Sequence, residues 1–313
     1  MLLAAGDGLR MEPLSSSVPK PALDVLGRPL LSSALANLRR AGCAEIVANL
    51  HRHPDLVAAA ARSAGGGTVA FSWEPDLLGG AGGVAAARSL LGDGDVLVGN
   101  ADTWGDLDLA PVLAARADGA AVLALIPHPD PRRWSSVLLG EDGLVTRFLA
   151  PGSDDRGERF LFTGFQILTR DVVAAIPAGA SAMASLWDIL RRSHHLRGAV
   201  VSGCWREAGT PASYRELVIE SLGRDTWIHS SAVVEEESRV ERSAVGAGCK
   251  VASGATLTGC VLTAGACVGG GSELRNCVLA GPLTVTGETI TDTLFVPQKR
   301  VPLRSRDNSA IRV

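Results

Sequence analysis

The chain has 313 residues, of which 46% are hydrophobic and 20% charged, with a formal net charge of −3. That length exceeds one ordinary core and points to a large domain plus a smaller one. A mixed, near-neutral charge removes the electrostatic case for nucleic-acid or anionic-membrane binding, and no run reaches the roughly 20 apolar residues of a membrane span.

The first two-thirds alternates short apolar runs with helical patterns. Met1–Ala5 reads as a strand ending at Gly6, and residues 29–42 as a helix with Leu30, Leu31, Leu35 and Leu38 on one face. Strands follow at 45–50, 68–73, 95–99 and 120–127, with helices between them at 55–62, 82–91 and 109–117. This spacing predicts parallel βαβ units in a Rossmann-like, doubly wound α/β sheet, whose ligands sit at the carboxyl ends of the strands. Residues 134–169 turn strand-rich and read as an inserted lid or substrate wall. Helices are expected at 186–192 and 213–222.

Beyond Gly223 an aliphatic residue recurs about every six positions: Ile228, Val234, Val240, Val245, Val251, Leu257, Leu262, Val268, Leu274, Leu279. A longer repeat aligns Ser243-Ala244-Val245 with Cys260-Val261-Leu262, Cys277-Val278-Leu279 and Thr293-Leu294-Phe295, at offsets of 17, 17 and 16. Three six-residue faces with one short corner give such a period, which is that of a hexapeptide parallel β-helix. The expected domains are therefore 1–223 and 224–313.

Met1 runs through apolar residues into Gly6 without a basic segment or cleavage site, so no secretion signal is read. The six cysteines show no metal spacing and read as buried small hydrophobes in a reducing compartment. A cytoplasmic protein with neither nucleic-acid nor membrane partners is expected. Only three residues are lysine, namely Lys20, Lys250 and Lys299. Lys20, alone in the α/β part and set between two prolines, points to a place where a compact ammonium matters.

The chemistry-bearing segment runs from Leu3-Ala4-Ala5-Gly6-Asp7-Gly8-Leu9-Arg10 to Pro19-Lys20-Pro21. A strand ends in a glycine-rich turn where backbone N–H groups at Gly6 and Gly8 can approach phosphate. Arg10 adds a fork suited to phosphate oxygens. The dinucleotide fingerprint fails at Met11, where a third glycine is required, and the Walker lysine is absent.

The segment resembles the signature of the sugar-1-phosphate nucleotidylyltransferases. Further motifs similar to theirs follow in order. They are Glu74-Pro75-Asp76-Leu77-Leu78-Gly79-Gly80-Ala81-Gly82-Gly83, Asn100-Ala101-Asp102, Phe162-Thr163-Gly164-Phe165 and Trp205-Arg206-Glu207-Ala208-Gly209-Thr210-Pro211. A C-terminal β-helix is common in that family and is left-handed there. The resemblance implies reaction of a sugar (or cyclitol) 1-phosphate with a nucleoside triphosphate, giving a nucleotide-sugar and pyrophosphate. It assigns catalytic roles to Arg10 and Lys20 and Mg²⁺ to Asp102 and Glu207. Substrate contacts fall to Ala4, Ala5, Gly6, Gly8, Glu74, Gly79, Gly82, Asn100, Thr163 and Gly164. Ala4-Ala5-Gly6 and Leu77-Leu78 are more similar to uridylyl- and guanylyl-type relatives, hence UTP or GTP. A homo-oligomer through the β-helix is implied as well.

Four positions depart from the family pattern: Leu9 for Thr, Ala101 for Gly, Glu207 for Asp, and no lysine in Phe148-Leu149-Ala150-Pro151. If position 101 needs φ > 0, alanine there costs roughly 1 kcal/mol. Arg147 is a candidate substitute for the missing lysine, or a solvent-facing residue. These departures motivate the alternative of an inactive homologue that binds nucleotide-sugar and regulates a partner. Acyl transfer by the β-helix is a poorer reading, because His229 is its only histidine and sits at its start. His194 and His195 read as cations complementing a helix C-terminus. Trp104 is open between the core and a sugar contact, and Trp227 is expected to cap the β-helix.

Overall fold

Leu2–Leu3 is the shortest strand of the main sheet and the one that places the first motif. It lies between two parallel neighbours, Ile46–Leu50 and Val96–Asn100. The structure is a computed structural model and describes residues 1–303 except Gly66 and Arg156. Residues 304–313, included in the expected C-terminal domain, lie outside the described residues.

The described chain packs as two compact units. Met1–Asp7 with Leu31–Arg206 forms the first, and Gly8–Leu30 with residues 207–303 forms the second.

The first unit is built on a nine-stranded mixed sheet. Its main path runs Val145–Leu149, Ser136–Leu139, Phe160–Leu168, Val96–Asn100, Leu2–Leu3, Ile46–Leu50, Val69–Trp73. Ala121–Pro127 pairs antiparallel with Phe160–Leu168 and parallel with Leu196–Val200. The helices Leu31–Arg40, Pro54–Ser63 and Ala110–Ala114 fall where the periodicity placed them. The glycine-rich helix begins earlier than expected, at Gly79, and breaks at Ala87 before Arg88–Leu91.

The strand-rich stretch is not a lid laid over the sheet. Phe160–Leu168 is one of its central strands, antiparallel to Val96–Asn100 from Phe165↔Gly99 to Leu168↔Val96. Phe165 is fully buried, and a Cβ on Gly99 would stand 2.6 Å from its ring. The apolar run thus continues the core. Two elements went unread. Arg170–Ala175 is a short helix, and Leu196–Val200 a strand in which Gly198 leaves room for Leu125 and Leu139.

The second unit carries a left-handed parallel β-helix. Its three faces stack strands in register. One is Trp227–Ile228, Ala244–Val245, Val261–Leu262, Val278–Leu279 and Thr293–Val296, closed by the antiparallel Lys299–Pro302. The pairs Ala244↔Val261, Val261↔Val278 and Val278↔Leu294 reproduce the repeat read from the sequence. Val245, Val251, Leu257, Leu262, Val268, Leu274 and Leu279 are buried, whereas Ile228 is exposed and Val234 and Val240 half-buried. Only neighbouring coils cover a solenoid ladder, so the first coil stays partly open. The cysteines follow suit in part. Cys249, Cys260 and Cys277 are buried, Cys43 and Cys267 are half-buried, and Cys204 is exposed, contrary to expectation.

His194 takes φ +60 just after Met183–Arg192, and the His195 N–H donates to the Leu190 carbonyl at 2.7 Å. This is a left-handed helix cap made without glycine. Trp227 lies in the first β-helix strand, and Trp104 is buried in the core.

Leu257 stands in the middle of the third face, paired with Val240 and Leu274 and fully buried. Leu257→Ala is expected to destabilise the protein by about 2–5 kcal/mol through the lost transfer energy and the cavity left behind. Urea denaturation checks this, and a loss below about 1 kcal/mol would mean the coils collapse into the gap.

Candidate active site

In the first unit the site residues gather at the carboxyl ends of three parallel strands. Ala4 and Ala5 are buried just past Leu2–Leu3. The Ala4 N–H donates to Asn49 Oδ1 at 2.7 Å. Asn49 Nδ2 donates to Glu74 Oε1 at 2.7 Å, and Glu74 Oε2 accepts the Leu78 N–H at 3.1 Å. Glu74 is 1% exposed. Left without partners, each buried polar group here would cost about 1–3 kcal/mol. Joined, they tie three strand ends to the start of the glycine-rich segment.

Asn49 was not singled out from the sequence. Its signal is a lone amide in the otherwise apolar strand Ile46–Leu50. The loop after that strand adds two contacts. His51 Nδ1 lies 2.8 Å from the Glu74 carbonyl, and Arg52 Nη1 donates to the Asp7 carbonyl at 3.4 Å.

Gly6 is exposed, and a Cβ built there meets nothing within 4 Å. The glycines of Gly79–Ala86 are crowded instead. A Cβ on Gly79, itself at φ +72, would stand 2.8 Å from the Ser181 carbonyl oxygen, and one on Gly82 2.5 Å from that of Gly179. The Ser181 carbonyl accepts the N–H groups of Ala81 and Gly82 at 3.1 and 3.0 Å. Close backbone packing therefore requires glycine at 79 and 82.

Asn100 ends Val96–Asn100, and Asp102 follows, half-buried. Ala101 is buried, keeps φ negative and donates its N–H to the Leu3 carbonyl at 3.0 Å. The alanine that replaces the family's glycine carries no left-handed strain. Thr163 and Gly164 occupy an irregularity between Phe162 and Gln166 on the Phe160–Leu168 strand. Such bulges redirect side chains beside active sites. Thr163 is buried, its hydroxyl donates to the Ala124 carbonyl, and its own carbonyl accepts from Thr103 Oγ1 and Trp205 Nε1. Gly164 sits at φ +93 with Thr103 Oγ1 2.5 Å from where a Cβ would be. Arg147 pairs with Asp155 at 2.5 Å and is largely exposed.

In the second unit Gly8 adopts φ +66 and opens the turn Leu9–Met11, whose Met11 N–H donates to the Gly8 carbonyl. Lys20 opens the turn Lys20–Ala22 after Pro19, half-buried. A Cβ on Gly8 would lie 3.8 Å from the Lys20 Cβ, so the two turns adjoin. Arg10 Nη2 is 3.7 Å from Glu207 Oε1, with the arginine side chain 44% exposed and the glutamate 13%. An exposed pair of this kind contributes about 0–1 kcal/mol. Asp24, on the hairpin after Lys20, accepts the Gly27 N–H at 3.1 Å, and burial pushes its carboxyl up from the usual range.

A glycine turn followed by arginine and lysine, on a chain whose α/β sheet ends in buried polar contacts, is the pattern of a nucleotide-handling enzyme. The nucleotidyl transferase family model matches residues 1–222, and the chain belongs to that family. The resemblance to the sugar-1-phosphate nucleotidylyltransferases read from the sequence is borne out. The chain is 34% identical over 229 residues to N-acetylmuramate alpha-1-phosphate uridylyltransferase of Neisseria meningitidis, covering 69% of this chain and 95% of that protein. It is 27% identical over 285 residues to mannose-1-phosphate guanylyltransferase of Mycobacterium tuberculosis, covering 84% of this chain and 79% of that one. Among solved structures, HddC from Yersinia pseudotuberculosis superposes with a TM-score of 0.61 at 22% identity, over 70% of this chain and 97% of that one, a likeness of fold.

The glycines of Gly79–Ala86 decide between two opposed effects. Alanine at Gly82 would gain about 1 kcal/mol of helix propensity, yet its Cβ would stand 2.5 Å from a backbone oxygen. Gly82→Ala is expected to lower the melting temperature, and a rise would show that the Gly179–Ser181 backbone moves freely.

Proposed function

We propose that the chain transfers a nucleotidyl group from a nucleoside triphosphate to a sugar or cyclitol 1-phosphate. Similarity to the uridylyltransferase, spanning 95% of that protein, carries the reading. An oxygen of the sugar phosphate attacks the α-phosphorus in line. A new P–O bond forms as the bond to the β-phosphate bridging oxygen breaks, and pyrophosphate leaves with that electron pair. No covalent enzyme intermediate is needed, so the protein acts by positioning and by neutralising charge.

Arg10 would hold the β- and γ-phosphates and Lys20 the phosphates near the reacting centre. The open space over Gly6 supports a backbone N–H approach to phosphate there. The buried Ala4–Asn49–Glu74 network supports a fixed wall for the nucleoside. Uridylyl and guanylyl relatives favour UTP or GTP.

Among the described residues no group of three or more His, Cys, Asp or Glu forms a ready-made metal cage. Mg²⁺ is commonly held by one or two carboxylates together with substrate phosphates and water. Asp102 and Glu207 are hard oxygen donors that fit this requirement. The ion would supply charge neutralisation on the phosphates. Glutamate at 207 reaches one methylene further than aspartate, and Arg10 already faces it. Homo-oligomerisation through the β-helix belongs to the same reading.

Pyrophosphate release should appear with Mg²⁺ and one pairing of triphosphate and sugar or cyclitol 1-phosphate, and vanish with EDTA. Lys20→Ala and Asp102→Asn should each lower kcat by about 10²–10³-fold. Silence across the panel, from protein that still binds a nucleotide-sugar by calorimetry, would favour the regulatory homologue.

A further inference from the structure

Residues 8–30, which carry most of the signature segment, pack in the same unit as the β-helix. Residues 8–30 and 207–303 form that compact unit. Specific contacts make the link. Tyr214, fully buried on the helix Pro211–Leu222, donates its hydroxyl to the Asp24 carbonyl. Trp227, in the first β-helix strand, lies on the hairpin turn, where a Cβ on Gly27 would stand 3.0 Å from its Cζ2. Glu207 faces Arg10, and a Cβ on Gly209 would stand 3.3 Å from Glu207 Oε1 and 3.7 Å from Arg10 Nη1.

Arg215 ties the helix to the coils at two corners. Arg215 Nε donates to the Gly259 carbonyl at 2.7 Å, and Nη2 donates to Asn276 Oδ1 at 2.5 Å. Gly259 and Asn276 are corners of successive coils, both left-handed, at φ +63 and +53. A Cβ on Gly259 would stand 2.8 Å from Arg215 Nη2, so glycine leaves room for the guanidinium. The rigid arginine fork engages two coils at once, which a lysine point charge does not.

We propose that the β-helix is the mount of the triphosphate loop, with Arg215 as the positioning residue that couples them. The chain of contacts runs from the corners at Gly259 and Asn276 through Arg215 to Pro211–Leu222, and from there through Tyr214 to Asp24 and the loop of Arg10 and Lys20. Loosening the corner bonds lets the loop drift and weakens triphosphate binding. The kinetic part of this inference rests on the activity proposed above, and the structural part does not.

The test uses the full chain carrying Arg215→Met, with hydrogen exchange read by mass spectrometry in the absence of ligand. Exchange in residues 8–30 should rise by about tenfold, while the coil interior at Leu257 and Leu274 keeps its protection. In turnover assays the KM for the triphosphate should rise about tenfold with kcat little changed. Asn276→Gly removes one acceptor but keeps the left-handed corner, and should show the same pattern more weakly. It stands in if Arg215→Met does not fold. Unchanged exchange in 8–30, with loosening confined to 211–222 and the two corners, overturns the proposal and makes Arg215 a local staple. Faster exchange in 8–30 with an unchanged KM also overturns it. If the wild-type chain turns over no substrate, the activity reading fails by itself, and the exchange measurement together with the calorimetric Kd for the triphosphate still decides the mount.

Discussion

A buried carboxyl group between three strand ends is the constraint on which the first unit's site depends. Glu74 is almost wholly out of water, yet both its oxygens accept hydrogen bonds, from Asn49 and from the Leu78 backbone. Asn49 passes the constraint on to Ala4. An unpartnered polar group at this depth would cost about as much as a core mutation. The network therefore has one low-energy arrangement, and that arrangement fixes the turn after Leu2–Leu3 relative to the glycine-rich segment.

The two glycine-rich motifs use the same residue for opposite reasons. Around Gly79–Ala86, missing side chains let one backbone press against another, and the Ser181 carbonyl takes helix N–H groups that would otherwise point outward. At Gly6 the missing side chain leaves open space, and at Gly8 it permits a left-handed turn. Only Gly6 of these glycines leaves its backbone open on the side where a Cβ would stand. The second motif is packed backbone against backbone. Arg10 and the half-buried Glu207 stand opposite each other at 3.7 Å.

Much of this was legible in the sequence where the physics is local or strictly periodic. The β-helix register could be read from Val245, Leu262, Leu279 and Phe295, because identical coils must repeat their buried ladder. The sequence reads Phe160–Leu168 as part of a lid or substrate wall because its partners, Val96–Asn100 and Ala121–Pro127, are distant in the chain. Leu196–Val200 was missed because Arg197 and Gly198 interrupt its apolar pattern. The start of the glycine-rich helix was placed late because glycine disfavours helix, and the tertiary reason for it lies at Gly179–Ser181. Motif order singles out Arg10, Lys20, Asp102 and Glu207 as candidates. Asn49, a single amide with no motif around it, needed coordinates.

We propose that this chain catalyses by positioning two phosphates for direct transfer. The stereochemistry at the α-phosphorus tests that most directly. With a triphosphate made chiral at phosphorus by α-thio substitution, and the sugar 1-phosphate the enzyme accepts, one in-line displacement gives inversion. Inversion is the expected result. Retention would require two displacements and a covalent nucleotidyl-enzyme, and would contradict a mechanism in which no side chain attacks phosphorus.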